Sequence, residues 1–315
     1  MTRLAPAPWR RLARMHACGQ NAPMDPADAV PADHGPERDV PLALAGDAEA
    51  LERLLRAVEP RIVALAHRML GRREDALDAT QEILLRIATH LSQFRGDSRF
   101  STWAWRIAAN ALLDERRAQG RRRERSFSEL AADIDAGMDR AETLPEAADP
   151  VTPEQRVAAT ELALVCTQGM LMALEGRQRL AYVLGEVMRF ESDEAAQIAG
   201  VSAAAFRQQL ARARQALRAF MEARCGLVSS GGRCHCDRQL LALAPRQAQW
   251  LHGQPRSAGA PMPVLHDAVA RRGMQEVELL RAAARVFRAH PSVEPAEPLA
   301  PRVRALIAGT VFGAA

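Results

Sequence analysis

The chain has 315 residues, enough for two or three small domains, and is 48% hydrophobic but only 4% aromatic; its dominance by Ala, Leu and Arg favours helices and argues against a sheet protein. The formal charge is +4 and every basic residue is Arg; these concentrate at 116–125 and 207–218 while 129–149 is acidic, a distribution suited to a polyanion gripped at defined places. No apolar run approaches the ~18 residues of a membrane span, and the basic start lacks the apolar stretch of a secretory signal, so a cytoplasmic protein without a membrane partner is expected.

Residues 1–41 mix Pro, Ala, Gly and Asp without periodicity and read as disordered. From Leu42 helical spacing begins. Leu51, Leu54, Leu55 and Val58 form a first stripe, and Pro60 is expected to open a second helix carrying Ile62, Leu65, Ala66 and Met69 up to Gly71. A third helix is predicted from about Glu74 to Leu91. A fourth follows Ser101, with Trp103, Ile107, Ala108 and Leu112, and fades into the Arg run. The stretch 126–152 is acidic, poor in large apolar residues and broken by Pro145 and Pro150, so it reads as a flexible linker. Periodicity returns at 153–224. Beyond it, 225–315 forms an appendage with a glycine-rich turn at 229–232 and one more helical stretch near 274–288. The expected fold class is all-α: two small helical domains, at 42–125 and 153–224, joined by the acidic linker and followed by a partly helical C-terminal extension.

Within the second domain, Ser192, Asp193 and Glu194 supply an expected N-cap and first-turn carboxylates, and the helix stops at Gly200-Val201. Ser202 then caps a longer helix. On that helix Phe206, Leu210, Ala213, Leu217 and Phe220 recur at spacings of four and three, leaving Arg207, Gln208, Ala211, Arg212 and Arg214 on the other side. A short helix, a tight turn and a second helix with an outward basic face is the helix-turn-helix geometry that enters a major groove. Guanidinium pairs bidentately with guanine or phosphate and Gln with adenine, each good base contact being worth roughly 1–3 kcal/mol. A solvated Arg face on an ordinary surface helix would leave the same local pattern.

An independent signal lies upstream in Asp75-Ala-Leu-Asp-Ala-Thr-Gln-Glu82, Phe94-Arg-Gly-Asp97 and Phe100-Ser-Thr-Trp-Ala-Trp-Arg-Ile-Ala-Ala-Asn110. Asp75, Asp78 and Glu82 share one helix face, open to a basic partner. Aromatics beside arginines suit unstacked bases, although Phe100 and Trp103 fit a plain core equally well.

Together these strings closely resemble bacterial sigma factors of the extracytoplasmic-function (ECF) type, with region two at about 51–119 and region four at 152–221. The resemblance implies a non-enzymatic subunit that binds RNA polymerase core and directs DNA-templated transcription initiation at promoter DNA. Asp75, Asp78, Gln81 and Glu82 match the segment that docks on the clamp helices of the largest polymerase subunit, and region four would seat on the flap. Phe94, Arg95 and Phe100 match the loop that captures a flipped base of the minus-ten element. Trp103, Ile107 and Arg106 look like its support, and Asn110 sits where the family holds the separated strand. Ser202, Arg207, Gln208, Ala211 and Arg212 match positions facing the minus-thirty-five element. An anti-sigma factor is a further candidate partner. One departure is Arg189-Phe-Glu-Ser192, where relatives usually carry a Gly-Leu-Ser turn.

Five cysteines and no export signal argue against a disulfide framework. Cys225, Cys234 and Cys236, with His235 and His252 nearby, are candidate zinc ligands, although the spacing lacks paired C-x-x-C loops. The family resemblance itself implies no cofactor. No phosphate-binding glycine loop, paired-His helix or nucleophile motif is present, so no enzyme is expected. An autonomous helix-turn-helix regulator is the competing reading, and it predicts specific duplex binding without polymerase.

Overall fold

Asp47 opens the central helix of the molecule: its carboxylate accepts the backbone N–H groups of Glu49 and Ala50 at 2.9 and 3.0 Å, satisfying two of the donors that a helix start leaves free. In the computed structural model, which describes residues 36–119, 126–143, 153–226, 229, 231–243, 284, 287, 288 and 293–312, this helix, α2, runs unbroken over Ala48–Leu70. A short α1 (Asp39–Leu44) precedes it. Pro60 therefore lies inside a helix and does not begin one. An interior Pro costs about 3 kcal/mol, but Leu54, Leu55, Val58, Ile62, Leu65, Ala66 and Met69 make one buried stripe on both sides of it, and that burial decides the outcome. Gly71 ends the helix in the left-handed region at φ 84°, a conformation glycine adopts without a Cβ penalty.

Helix α3 (Arg73–Thr89) folds back along α2 and buries Ala76, Thr80, Ile83, Leu84 and Ile87. Helix α4 (Phe100–Gln119) crosses both and contributes Phe100, Ala104, Ala108 and Leu112, each fully buried. In the expected linker, residues 127–142 form an amphipathic helix, α5 (Phe127–Glu142). It starts in a reciprocal capping box between Ser126 and Glu129 and buries Leu130, Ile134 and Met138. The acidic letters occupy its outer face, which is why composition alone suggests a linker. The remainder of that stretch, 144–152, lies outside the described residues.

The second lobe comprises α6 (Pro153–Ala173), α7 (Gly176–Tyr182) continuing into a π turn at Val183–Val187, α8 (Ser192–Ala199) and α9 (Ala203–Arg224). Then come α10 (Cys236–Leu241) and, near the C-terminus, α11 (Leu299–Phe312). Among the described residues there is no strand, only an isolated parallel bridge between Cys225 and Cys234, and the all-α expectation is met. Most of the helix expected at 274–288 falls outside the described residues; Ala284, Phe287 and Arg288 are helical.

The two lobes are packed together. Trp105 of α4 stacks edge-on to Phe190 at 5.2 Å, and the Thr102 hydroxyl donates to Glu194 of α8 at 3.2 Å. Two buried guanidiniums join helix ends. Arg116 of α4 donates to the Leu174 carbonyl at 3.0 Å, while Arg179 of α7 donates to the Met69, Met172 and Leu174 carbonyls. These carbonyls sit at or just past the C-termini of α2 and α6, where acceptors lack intrahelical partners and the helix dipole favours a cation. In the sequence Arg116 opens a basic cluster; its burial at 9% exposure removes it from any outward basic surface.

Candidate nucleic-acid interface

The helix-turn-helix is built from α8 and α9. Gly200 makes the turn at φ 65°, and the Ser202 hydroxyl accepts the Ala205 N–H at 3.2 Å, so the second helix begins where the sequence indicates. The first begins one residue earlier than expected. Glu191 is the N-cap, in extended conformation and without a side-chain cap bond, and Ser192 is the first helical residue. Just before it Arg189 stands at φ 61°, the one non-glycine in the left-handed region among the described residues. Phe206, Leu210, Ala213, Leu217 and Phe220 are all buried. Arg207, Gln208, Ala211 and Arg212 are all exposed on the opposite face. Arg214 is set apart from them by its ion pair with Glu186, and Arg218 lies 3.9 Å from Glu222. Four expected contact residues thus form one solvent-facing stripe on a rigidly backed helix.

On α3, Asp78 and Glu82 are exposed and Asp75 and Gln81 are half-buried. Glu82 pairs with Arg86 at 2.9 Å, an exposed i, i+4 pair that contributes about 0.3–0.5 kcal/mol and yields readily to a better partner. The Phe94, Phe100 and Trp103 rings meet as a trio, with centroids 5.6–5.9 Å apart. Phe100 is fully buried, Phe94 and Trp103 are half-buried, and Gly96 at φ 79° turns the loop between them. Arg95 on the loop and Arg106 and Asn110 on α4 are exposed. The structure therefore joins the predicted loop to the start of α4 through the three aromatic rings, while Arg106 and Asn110 follow at about one and two turns beyond Trp103 on the same helix.

The expectation of zinc ligands at Cys225, Cys234 and Cys236 finds no support in the described residues. Among the described residues no group of three or more His, Cys, Asp or Glu side chains is placed to hold a metal ion. Cys225 and Cys234 lie side by side across the parallel bridge, with the Cys234 N–H donating to Arg224 and the Gly226 N–H to Cys234, both at 2.9 Å. Cys236 is the first residue of α10. Burial pushes the Cys234 thiol up to about 12, with Cys225 adding to the effect, and raises Cys236 well above the ordinary value. The bridge needs Gly232, because a Cβ there would come within 2.4 Å of the Cys225 carbonyl carbon. His252 lies outside the described residues.

Residues 54–122 match the family model of sigma-70 region 2, which spans α3, the aromatic trio and α4. The ECF RNA polymerase sigma factor SigW of Bacillus subtilis is 29% identical over 174 residues, covering 55% of this chain and 89% of that protein. This chain belongs to the ECF sigma factors. SigG of Mycobacterium tuberculosis, another ECF RNA polymerase sigma factor, is 33% identical over 166 residues; the sigma factor described here spans 44% of its length. A solved structure of the sigma factor RpoE in complex with the anti-sigma factor NepR from Bartonella quintana is 20% identical, covers 54% of this chain and 94% of that chain, and has a TM-score of 0.36. As an ECF sigma factor the protein acts in transcription initiation. No described helix is long and apolar enough to cross a membrane.

Sequence reasoning does not foresee Glu59, Glu186 or Arg288. Glu59 is buried in the middle of α2, yet in the sequence it is one carboxylate beside a Pro. Its partners lie some 240 residues away, beyond any local pattern.

Proposed function

We propose that this sigma factor directs RNA polymerase core to promoters through three surfaces of its own. Asp75, Asp78, Gln81 and Glu82 on α3 engage basic groups of the clamp helices of the largest subunit. Arg95, Arg106 and Asn110, around Phe94, Phe100 and Trp103, hold the separated strand of the minus-ten element. Ser202, Arg207, Gln208, Ala211 and Arg212 face the minus-thirty-five element while region four rests on the flap. The observation that carries this reading is the uninterrupted exposed stripe of α9 in the same chain as a region 2 match.

The exposed α9 arginines favour a salt-sensitive grip on phosphates, with Gln208 as the base reader. The protein works in the cytoplasm, needs no cofactor for this role, and has an anti-sigma factor as its natural antagonist. Run-off transcription from a genomic fragment library, with purified core polymerase and this chain, tests it. Defined start sites that vanish without the chain are expected. Specific duplex binding by the chain alone, with no initiation when core is added, would instead support an autonomous regulator.

A further inference from the structure

The C-terminal segment has two anchorages, one on each lobe. On the helix-turn-helix lobe, Phe287 is fully buried with its ring 5.2 Å from that of Tyr182, and Arg288 donates to the Glu186 carbonyl at 2.7 Å. That carbonyl lies in the π turn, at the end of a helix where acceptors are otherwise left open. On the first lobe, Glu59 of α2 accepts the backbone N–H groups of Leu299 at 2.7 Å and Ala300 at 3.1 Å, so a carboxylate of one helix caps the start of α11. Val303 and Ala300 are fully buried against that lobe, Arg304 pairs with Glu52 at 2.8 Å, and Arg73 donates to the Glu294 carbonyl at 2.7 Å.

We propose that Phe287 and Arg288, together with residues 293–304, form an intramolecular latch that holds the DNA-reading lobe against the polymerase-docking lobe and is released when the chain binds RNA polymerase core. The inference rests on the proposed function, because only a chain that must touch two promoter elements at once has reason to open. Elements centred near minus ten and minus thirty-five are roughly 25 base pairs apart, about 85 Å at ~3.4 Å per base pair. Helix α9, at 22 residues the longest of its lobe, is only about 33 Å long at ~1.5 Å per residue. With Trp105 stacked on Phe190 and Thr102 bonded to Glu194, the two reading surfaces cannot span that distance.

The chemistry of the anchors suits release. Glu59 is a carboxylate at a helix surface, 6% exposed in the closed state, and loss of α11 returns it to water instead of stranding it in a core. The Arg304–Glu52 pair sits at the rim, with side-chain exposures of 41% and 14%, where it adds registry more than strength. None of the anchoring residues is among the promoter- or polymerase-contacting side chains.

The test uses full-length chains carrying Val303→Asp, which places a carboxylate in an apolar seat beside Glu59, or the milder Glu59→Gln. Hydrogen exchange on the free proteins reads the latch, and a titration of core polymerase reads its consequence. Both variants should lose protection at α11 and bind core more tightly, by about 10-fold for Val303→Asp if the open form is near a tenth of the wild-type population, and by less for Glu59→Gln. In the wild-type complex with core, α11 should exchange as freely as in Val303→Asp. Variants that loosen α11 yet bind core with wild-type affinity would overturn the latch and leave the sigma reading intact, as would an α11 that stays protected in the complex. Failure of every form to bind core would overturn both.

Discussion

The two regions proposed to face DNA are built on opposite plans. On α9 the contact residues and the core residues are separate sets: Arg207, Gln208, Ala211 and Arg212 are exposed, and Phe206, Leu210 and Ala213 beneath them are buried. At the end of the first lobe the two roles share one cluster, since Phe100 is at once the most deeply buried ring of its lobe and the foundation of the loop that carries Arg95. A surface of the first kind can change its sequence preference without touching stability. One of the second kind cannot.

The largest effect should come from Phe100→Ala, which removes a fully buried ring and is expected to lower stability by about 3–5 kcal/mol, with loss of strand separation as a secondary result; chemical denaturation measures the first. A loss under 1 kcal/mol would break the contrast between the two plans. Next is pH. Burial and the neighbouring Arg68 hold His67 down to about 4, so the folded state resists its protonation. The unfolded chain takes up that proton first, near 6.5, so stability is full above that value and declines as pH falls from about 6.5 to 4, by up to about 3 kcal/mol. Denaturation midpoints of His67→Gln against wild type across that window should converge at low pH.

Arg207→Ala and Arg212→Ala should each cost about 1–3 kcal/mol of promoter binding where a base is read, or lower the salt slope by about one where a phosphate is held. Their unfolding midpoints should stay within about 0.5 kcal/mol of wild type; a larger shift would mean that α9 is not divided as described. Smallest is Arg189→Gly. Relief of a side chain at φ 61° gains about 1–2 kcal/mol, less about 0.5–1 kcal/mol for the more flexible unfolded chain, so a net rise of about 0–1.5 kcal/mol is expected by calorimetry.

Much of the helical plan is legible because it is local. The α9 stripe recurs every three to four residues, Gly71 and Gly200 end helices at their own positions, and Ser202 caps the start of α9. Boundaries fail where a local rule meets a tertiary one. Pro60 reads as a helix start until the stripe on both sides of it is buried, and the acidic letters of α5 hide an apolar face that packs on α6 and α10. Of the candidate sites, the exposure of the α9 stripe is readable from its spacing, and the motif block locates the aromatic trio. The metal expectation gains no support among the described residues, because spacing shows which cysteines are near one another along the chain and not what their side chains can jointly hold. The contacts between lobes are not readable at all, since Arg116 and Arg179 look like any surface Arg until helix ends are brought to them.

Arg179 gives the joint between the lobes a thermal character. One guanidinium serves the Met69 carbonyl of the first lobe and the Met172 and Leu174 carbonyls of the second, so parting them exposes polar groups along with the apolar area around Trp105 and Phe190. Polar exposure lowers heat capacity while apolar exposure raises it, and the two oppose each other at this seam. The free energy of separating the lobes should therefore curve little with temperature, while that of melting each lobe, dominated by Leu, Ile and Phe burial, curves strongly. Such a joint would open along a nearly straight line of free energy against temperature, without the low-temperature loss of stability that apolar burial alone brings.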